Sequence, residues 1–434
     1  MFNFVFYVQR LKVKKTIYIY IGVAIIGTGV LAYFFSKIPK TEAKSSTDRK
    51  ITDTTQQAED IDTAFLKSVF ELDTNKILEK DSLVINGTDN KAGTTSDELM
   101  GYKRINIALI GLDGRMGSPN GHADANHIIS IIPDAGKIQI ISIPRDTYVD
   151  CGYDDTTNLN KLTVYYMTAG RSQYLKKVAE IAGLSSINYY IEFGFSQAMG
   201  ILRLFGYNST QTLQVLRSRK SFATGDYQRI YNQAQFVRQL ILKHFELING
   251  SLKPIFINGI LALVRTNLSY DVIWNLFKII EEKEIYKNPE NITIKIRPGI
   301  RTNYQVFDFS NPEVIADLKE KLNLEQIAKQ DTTARSPKNF QAYLLKKLDK
   351  IIFDTVKDTL KNPKIAINKL KPYYEQKIWL QIEDDNTSLE YSKKISDIIA
   401  NSYLKIKDTT NAIKVQNSFL AEKELFNKSK VTSK

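Results

Sequence analysis

Five charged residues stand at or beside the ends of three short apolar runs. Asp113 and Arg115 follow residues 105–112, Asp124 precedes residues 127–133, and Arg145 and Asp146 follow residues 137–144. Short runs rich in β-branched residues and bounded by Gly, Pro, Asn and Asp are strand signals. In open α/β sheets ligands bind beyond strand ends, and carboxylates gathered there with arginines can hold a metal ion and a phosphate together. A second basic cluster follows, with Arg217 and Arg219 in VLRSRK and Arg229 in DYQRIYNQAQF. On an extended segment residues i and i+2 point to one face, so Arg217 and Arg219 are expected side by side. Arg229 and Gln233, at i and i+4, share a helix face, and Ile230, Ala234, Val237 and Ile241 form a separate apolar stripe facing a core.

The elements that must position these groups follow from periodicity. Residues 161–167 and 172–182 form a pair of helical candidates, 187–193 is apolar and β-branched and reads as a strand, and 196–206 reads as a helix stopped at Gly206. Met199, Ile201, Leu202, Leu204 and Phe205 make that last helix apolar on several sides; core packing accounts for most of them. Helical patterns continue over 258–265 and 272–281, residues 291–297 alternate as a strand with one wet face, and 313–322 reads as a closing helix.

Composition narrows the chemistry. The 434 residues are 43% hydrophobic and 25% charged, which are globular values, and the length suits two domains or one large domain with appendages. The net charge of +13 (60 basic minus 47 acidic) suits a polyanionic partner. Zinc-finger spacing, a helix-turn-helix signature and basic stretches interleaved with aromatics are all missing from the sequence, which argues against nucleic acid. A single cysteine, Cys151, excludes an internal disulfide, and His122, His127 and His244 form no HExxH pattern, which argues against a zinc hydrolase.

In order and spacing, LIGLDGR, HADANHIIS, SIPRDTYV, VLRSRK and DYQRIYNQAQF resemble the LytR-CpsA-Psr family of bacterial envelope phosphotransferases, over residues 106–322, about half of the chain. The resemblance implies an α/β/α core; with the charge-free and periodic stretches beside it, the fold class expected is α/β, an α/β/α sandwich around a central mixed β-sheet, preceded by one N-terminal transmembrane helix and followed by a mainly helical C-terminal appendage. It implies Mg2+ held by Asp113 and Asp124, and a pyrophosphate bound by Arg115, His122, Arg145, Arg217, Arg219, Arg229 and Gln233. Asp124 and Arg145 would serve catalysis; whether Asp124 is the metal ligand or the base stays open. Asp146 and Asp226 would orient arginines. The activity implied is transfer of a glycopolymer from a polyprenyl pyrophosphate carrier to a cell-wall acceptor at the cytoplasmic membrane. A hydrolase using water at the same site and a non-catalytic lipid- or wall-binding protein are the alternatives. Three positions depart from the family: His122 and Asn232 replace arginines, and Thr163 stands where Asn is common. Histidine recovers part of the lost charge, conditionally, near neutral pH.

Residues 16–35 carry no charge and have the length of a membrane-crossing helix, and the small-x-small signal of a cleaved leader is poor, so a retained signal anchor is expected. Lysines and arginines flank it on both sides, so charge does not choose its orientation; the resemblance implies a cytoplasmic tail, residues 1–15, and a domain outside. Residues 36–103 read as a polar tether followed by an accessory helix near 61–80, residues 104–330 as the catalytic domain, and 331–434 as a lysine-rich appendage. Within the appendage, 340–360 and 389–402 have helical periodicity and 377–382 (KIWLQI) reads as a strand.

Overall fold

A computed structural model describes residues 99, 101–114, 116–118, 121–219, 224–250, 252–328 and 337–432. The chain divides into Met1–Ala58 and Glu59–Lys434, and the described residues all lie in the second unit. The expected anchor at 16–35, the helix near 61–80 and Arg115 lie outside the described residues. Among the described residues no helix is long and apolar enough to cross a membrane.

Six strands form one mixed sheet: β1 (Ile105–Gly114), β2 (Gly121–Ile132), β3 (Lys137–Ser142), β4 (Tyr189–Gly194), β5 (Arg265–Thr266) and β6 (Ile292–Ile296). Their spatial order is β5-β4-β1-β2-β3-β6. β1 is antiparallel to β2 and parallel to β4, and β3 is antiparallel to β2 and parallel to β6. The carboxyl ends of β1, β3, β4 and β6 therefore share one edge, and the start of β2 joins them there. β2 begins six residues earlier than residues 127–133 suggest, because pairing with β1 recruits GHADAN despite its lack of large apolar residues.

The register between β1 and β2 slips once: Gly111 faces Ala125 and Leu112 faces Ala123. Asp124 is the extra residue of a β-bulge, a device that breaks alternation and re-aims a side chain.

Helices cover both faces. On one side α1 (Leu162–Ala182) buries Leu162, Tyr174 and Val178 against Ala108, Ile110, Ile128 and Ile141. It is bent at Gly170, whose φ of 77° and ψ of 166° separate the two helical stretches that the periodicity predicts. After β4 come α2 (Phe195–Leu204) and α3 (Ser209–Arg217), the latter started by Asn208, whose side chain accepts from Gln211 N. On the opposite side α4 (Asp226–Asn249), α5 (Lys253–Leu263) and α6 (Tyr270–Glu282) follow. Ala234 and Phe245 of α4 and Ile279 and Ile280 of α6 pack on Ile105, Ile107, Ile131, Ile138 and Ile140, with Val237 and Ile241 against them. Helix α7 (Pro312–Ala328) joins α2 and α3 through Ile315 and Leu318. The layers are helix, sheet, helix.

Among the described residues the C-terminal part is helical: α8 (Pro337–Lys361), α9 (Pro363–Glu375), α10 (Asp385–Lys405) and α11 (Thr409–Thr432). The strand expected at 377–382 is instead a 3-10 turn, Ile378–Gln381. Its residues do not alternate; Ile378, Trp379, Leu380 and Gln381 are all buried, as a tight turn enclosed by neighbouring helices allows and a half-exposed strand does not. These helices share a core with Leu263, Ile260 and Val264 of the preceding elements, so they pack onto the sheet-bearing part.

Candidate active site

Asp124 stands at the centre of the strand-end cluster. Its Oδ1 lies 2.8 Å from Arg145 Nη1 and accepts a hydrogen bond from Thr163 Oγ1 at 3.2 Å. Arg145 follows β3, and its backbone is pinned at both ends: its N–H donates to Asp226 Oδ2 (3.2 Å) and its C=O accepts from Thr163 N (3.1 Å). Asp146 gathers Lys161 at 3.5 Å and Arg219 at 3.2 Å. Arg229, on the first turn of α4, donates to the Asp124 carbonyl (3.2 Å) and lies 2.6 Å from Asp226 Oδ1. That last contact is close but off the hydrogen-bond line, since Asp226 Oδ1 and Arg229 Nε have no hydrogen-bond partner. Burial pushes the Asp226 carboxyl up, against the pull of Arg229, and pushes the Arg229 guanidinium down, against the pull of Asp226. Both ions lose solvation, and mutual attraction offsets only part of that cost.

A second pair completes the edge. Arg217, the last residue of α3, reaches Asp113 Oδ1 at 3.2 Å and lies 5.1 Å above the ring of Phe195. Arg217 and Arg219 do not share the extended face that their spacing suggests. Arg217 is helical and turns to Asp113, whereas Arg219 lies beyond the extended Ser218 and turns to Asp146. His122 is exposed and is the register partner of Asp113 across β1 and β2.

Gln233 lies one turn beyond Arg229, and both ends of its amide are engaged inside the fold. Its Nε2 donates to Leu216 O (2.9 Å), so its Oε1 faces His127 Nε2 at 3.2 Å. His127 Nε2 is then the donor, and Nδ1 accepts from Ser142 Oγ at 2.8 Å. Full burial lowers the His127 pKa to about 4, so the ring is neutral. Through this chain β2 and α4 hold the end of α3, where Arg217 begins the basic segment. Asn232 is buried, and its Oδ1 accepts from Gln228, which also clips Gln305 from both sides of the peptide.

Of the residues singled out in sequence, Asp124, Arg145, Arg219 and Arg229 come together with Asp146 and Asp226, Asp113 pairs with Arg217 beside His122, and Gln233 supports them from below. Lys161 and Thr163 were not assigned to the site on sequence; Thr163 stood out only as a departure from the family's usual Asn, and the packing of the α1 start against the segment after β3 reveals the contacts of both. Asp113 and Asp124 offer hard carboxylate oxygens of the kind Mg2+ takes, each now in an ion pair with arginine. Among the described residues no group of three or more His, Cys, Asp or Glu converges as a metal cage. Two carboxylates suit an ion that takes its other ligands from substrate phosphates and water.

Arginines and aspartates laced across the strand ends of a helix-sheet-helix fold are groups whose chemistry suits phosphate oxygens. Residues 52–202 match the model of the LytR_cpsA_psr family. A polyisoprenyl-teichoic acid–peptidoglycan teichoic acid transferase TagU from Bacillus licheniformis is 24% identical over 346 residues, covering 73% of this chain and 97% of that protein. The protein of that name from Bacillus mycoides is 26% identical over 261 residues, covering 54% of this chain and 83% of the relative. Among solved structures, B. subtilis TagV is 20% identical with a TM-score of 0.37, covering 52% of this chain and 99% of that one. TagT bound to LI-WTA is 18% identical with a TM-score of 0.34, covering 51% and 90%. The chain is thus similar to LytR-CpsA-Psr proteins over residues 52–202.

Proposed function

We propose that this protein transfers a glycopolymer from a polyprenyl pyrophosphate carrier to a cell-wall acceptor, forming a phosphodiester. The observation that carries the reading is the network of Arg145, Arg219 and Arg229 with Asp124, Asp146 and Asp226 across the strand ends. The transferase names of the similar TagU proteins support the substrate class. In this reading an acceptor hydroxyl oxygen attacks the phosphorus that bears the sugar. The bond from that phosphorus to the bridging oxygen breaks, and polyprenyl phosphate leaves with the bridging electrons. Such a reaction asks the protein mainly for positioning and charge neutralisation. Arg145, Arg217, Arg219 and Arg229, with Arg115 and His122, bind the phosphate oxygens, where forked guanidinium groups meet two oxygens at once. Gln233 holds the Arg217 segment in place. Asp113 and Asp124 are the ligands assigned to Mg2+, which when bound neutralises charge on the pyrophosphate. Asp124 is either that ligand or the acceptor of the hydroxyl proton. The same reading puts residues 16–35 through the cytoplasmic membrane with the site outside, which protease protection of the two ends in intact cells would check.

The direct test supplies the full chain with a labelled polyprenyl-pyrophosphate-linked oligosaccharide, Mg2+ and peptidoglycan. Label on the peptidoglycan, with release of polyprenyl monophosphate, is the expected result. Phosphate release without labelled wall would make the protein a hydrolase, and binding without turnover would make it a carrier or wall-binding protein.

A further inference from the structure

The turn that joins α9 to α10 contacts both the segment that follows Asp113 and the helix that carries the ring under Arg217. On one side Gln376 clips the segment after β1: its Oε1 accepts from Gly117 N (2.9 Å) and its Nε2 donates to Ser118 O (2.8 Å). Gly117 has a φ of 77°, and a Cβ there would lie 2.5 Å from Tyr373 Cζ, so the segment rests directly on that ring. On the other side the same turn grips α2 at both its ends. Gln197 Nε2 donates to Glu375 O (2.8 Å), Gln381 Nε2 to Ser196 Oγ (2.9 Å), and Arg203 to the carbonyls of Leu380 (2.6 Å) and Ile382 (2.9 Å). Helix α2 begins with Phe195, the ring beneath Arg217. The segment that follows Asp113 and the ring that supports Arg217 are therefore tied to one C-terminal turn. A cleft lined by Leu112, Gly114, Phe195, Glu375 and Gln376 opens between them.

We propose that Gln376 is a positioning residue for the phosphate-binding site, acting through the segment after Asp113. The inference rests on the phosphate-transfer reading above. An amide is suited to this task, because it offers an acceptor to one peptide and a donor to the next. Glutamate keeps only the acceptor and alanine keeps neither.

The test uses the full chain, farnesyl pyrophosphate with Mg2+ as probe, and three variants: Gln376→Ala, Gln376→Glu and Lys371→Ala. Lys371 sits on the same helix, is 56% exposed and touches only the Glu375 carboxylate, at 3.8 Å, among its ion pairs. Probe affinity is read beside amide hydrogen exchange at Gly117. Gln376→Ala is expected to speed exchange at Gly117 and weaken the probe about tenfold, the scale of two lost hydrogen bonds partly compensated by water. Gln376→Glu is expected to restore protection of Gly117 and part of the affinity, and Lys371→Ala to change neither. Faster exchange in Gln376→Ala with unchanged affinity would overturn the proposal and leave the site reading standing. Absence of probe binding by the wild type would overturn the phosphate-binding reading, and the proposal with it.

Discussion

His127 makes the strongest pH prediction, because it lies beneath the site and is only 3% exposed. Its pKa falls to about 4 from the free value of 6.5, chiefly through burial, with Arg229 adding to the effect and the Gln233 hydrogen bond opposing it. Above pH 6.5 the ring is neutral in both folded and unfolded chains, and the full stability is present. Below that, the unfolded chain binds a proton and the fold does not, so stability is lost until the folded ring itself protonates near pH 4. Each pH unit costs about 1.4 kcal/mol, so the window from about 6.5 to 4 removes about 3 kcal/mol. That is a large share of the roughly 5–15 kcal/mol that holds a domain folded. The perturbation is His127→Gln, which keeps a donor for Gln233 and cannot titrate. The measurement is urea unfolding of both full chains at several values between pH 7.5 and 4. Asp226, raised by burial, pulls the other way in both proteins, so the difference between the two curves isolates the histidine. The variant is expected to be about 1–2 kcal/mol weaker at pH 7.5 and to approach or overtake the wild type near pH 4. Parallel curves would mean that the folded ring protonates as readily as a free one, and the buried neutral assignment would fall.

Three further outcomes follow from the same contacts. Arg229→Ala leaves Asp226 buried without its guanidinium and should cost about 3–5 kcal/mol, read as a fall in Tm, with Arg229→Lys recovering only part. Asp124→Asn should lower transfer by about 10²–10⁴-fold if Asp124 is the base, with Mg2+ affinity unchanged in a metal titration; a loss of that affinity would instead make it the metal ligand. Gly259→Ala pushes a Cβ to 2.5 Å from Leu425 Cδ2 and should cost about 1–3 kcal/mol, because α11 packs directly on α5; an unchanged Tm would mean that the C-terminal helices yield freely there.

The layered fold was legible because its signals are local. The isoleucine runs of β1 and β3, the alternation of β6 and the stripe from Ile230 to Ile241 each lie within a short window. The site was legible as a set of charges, and the geometry that divides it was not. Asp124 turns toward Arg145 and Thr163 because a register slip against Gly111 and Leu112 makes it a bulge, and such a slip is a property of two strands together. Arg217 and Arg219 part company because α3 runs three residues into VLRSRK and stops at Arg217, beside the Gln233 link to Leu216. KIWLQI reads as a strand on its own, and becomes a buried turn only because helices from distant sequence surround Trp379 on all sides. What a window of sequence misses here is contact between segments far apart along the chain, and the same holds for Gln376, some 260 residues from Gly117. That residue carries no motif, and its relation to the site exists only once α9 is laid against the end of β1. The charged groups at the strand ends are set by sequence, but how they pair is set by contacts between segments far apart along the chain.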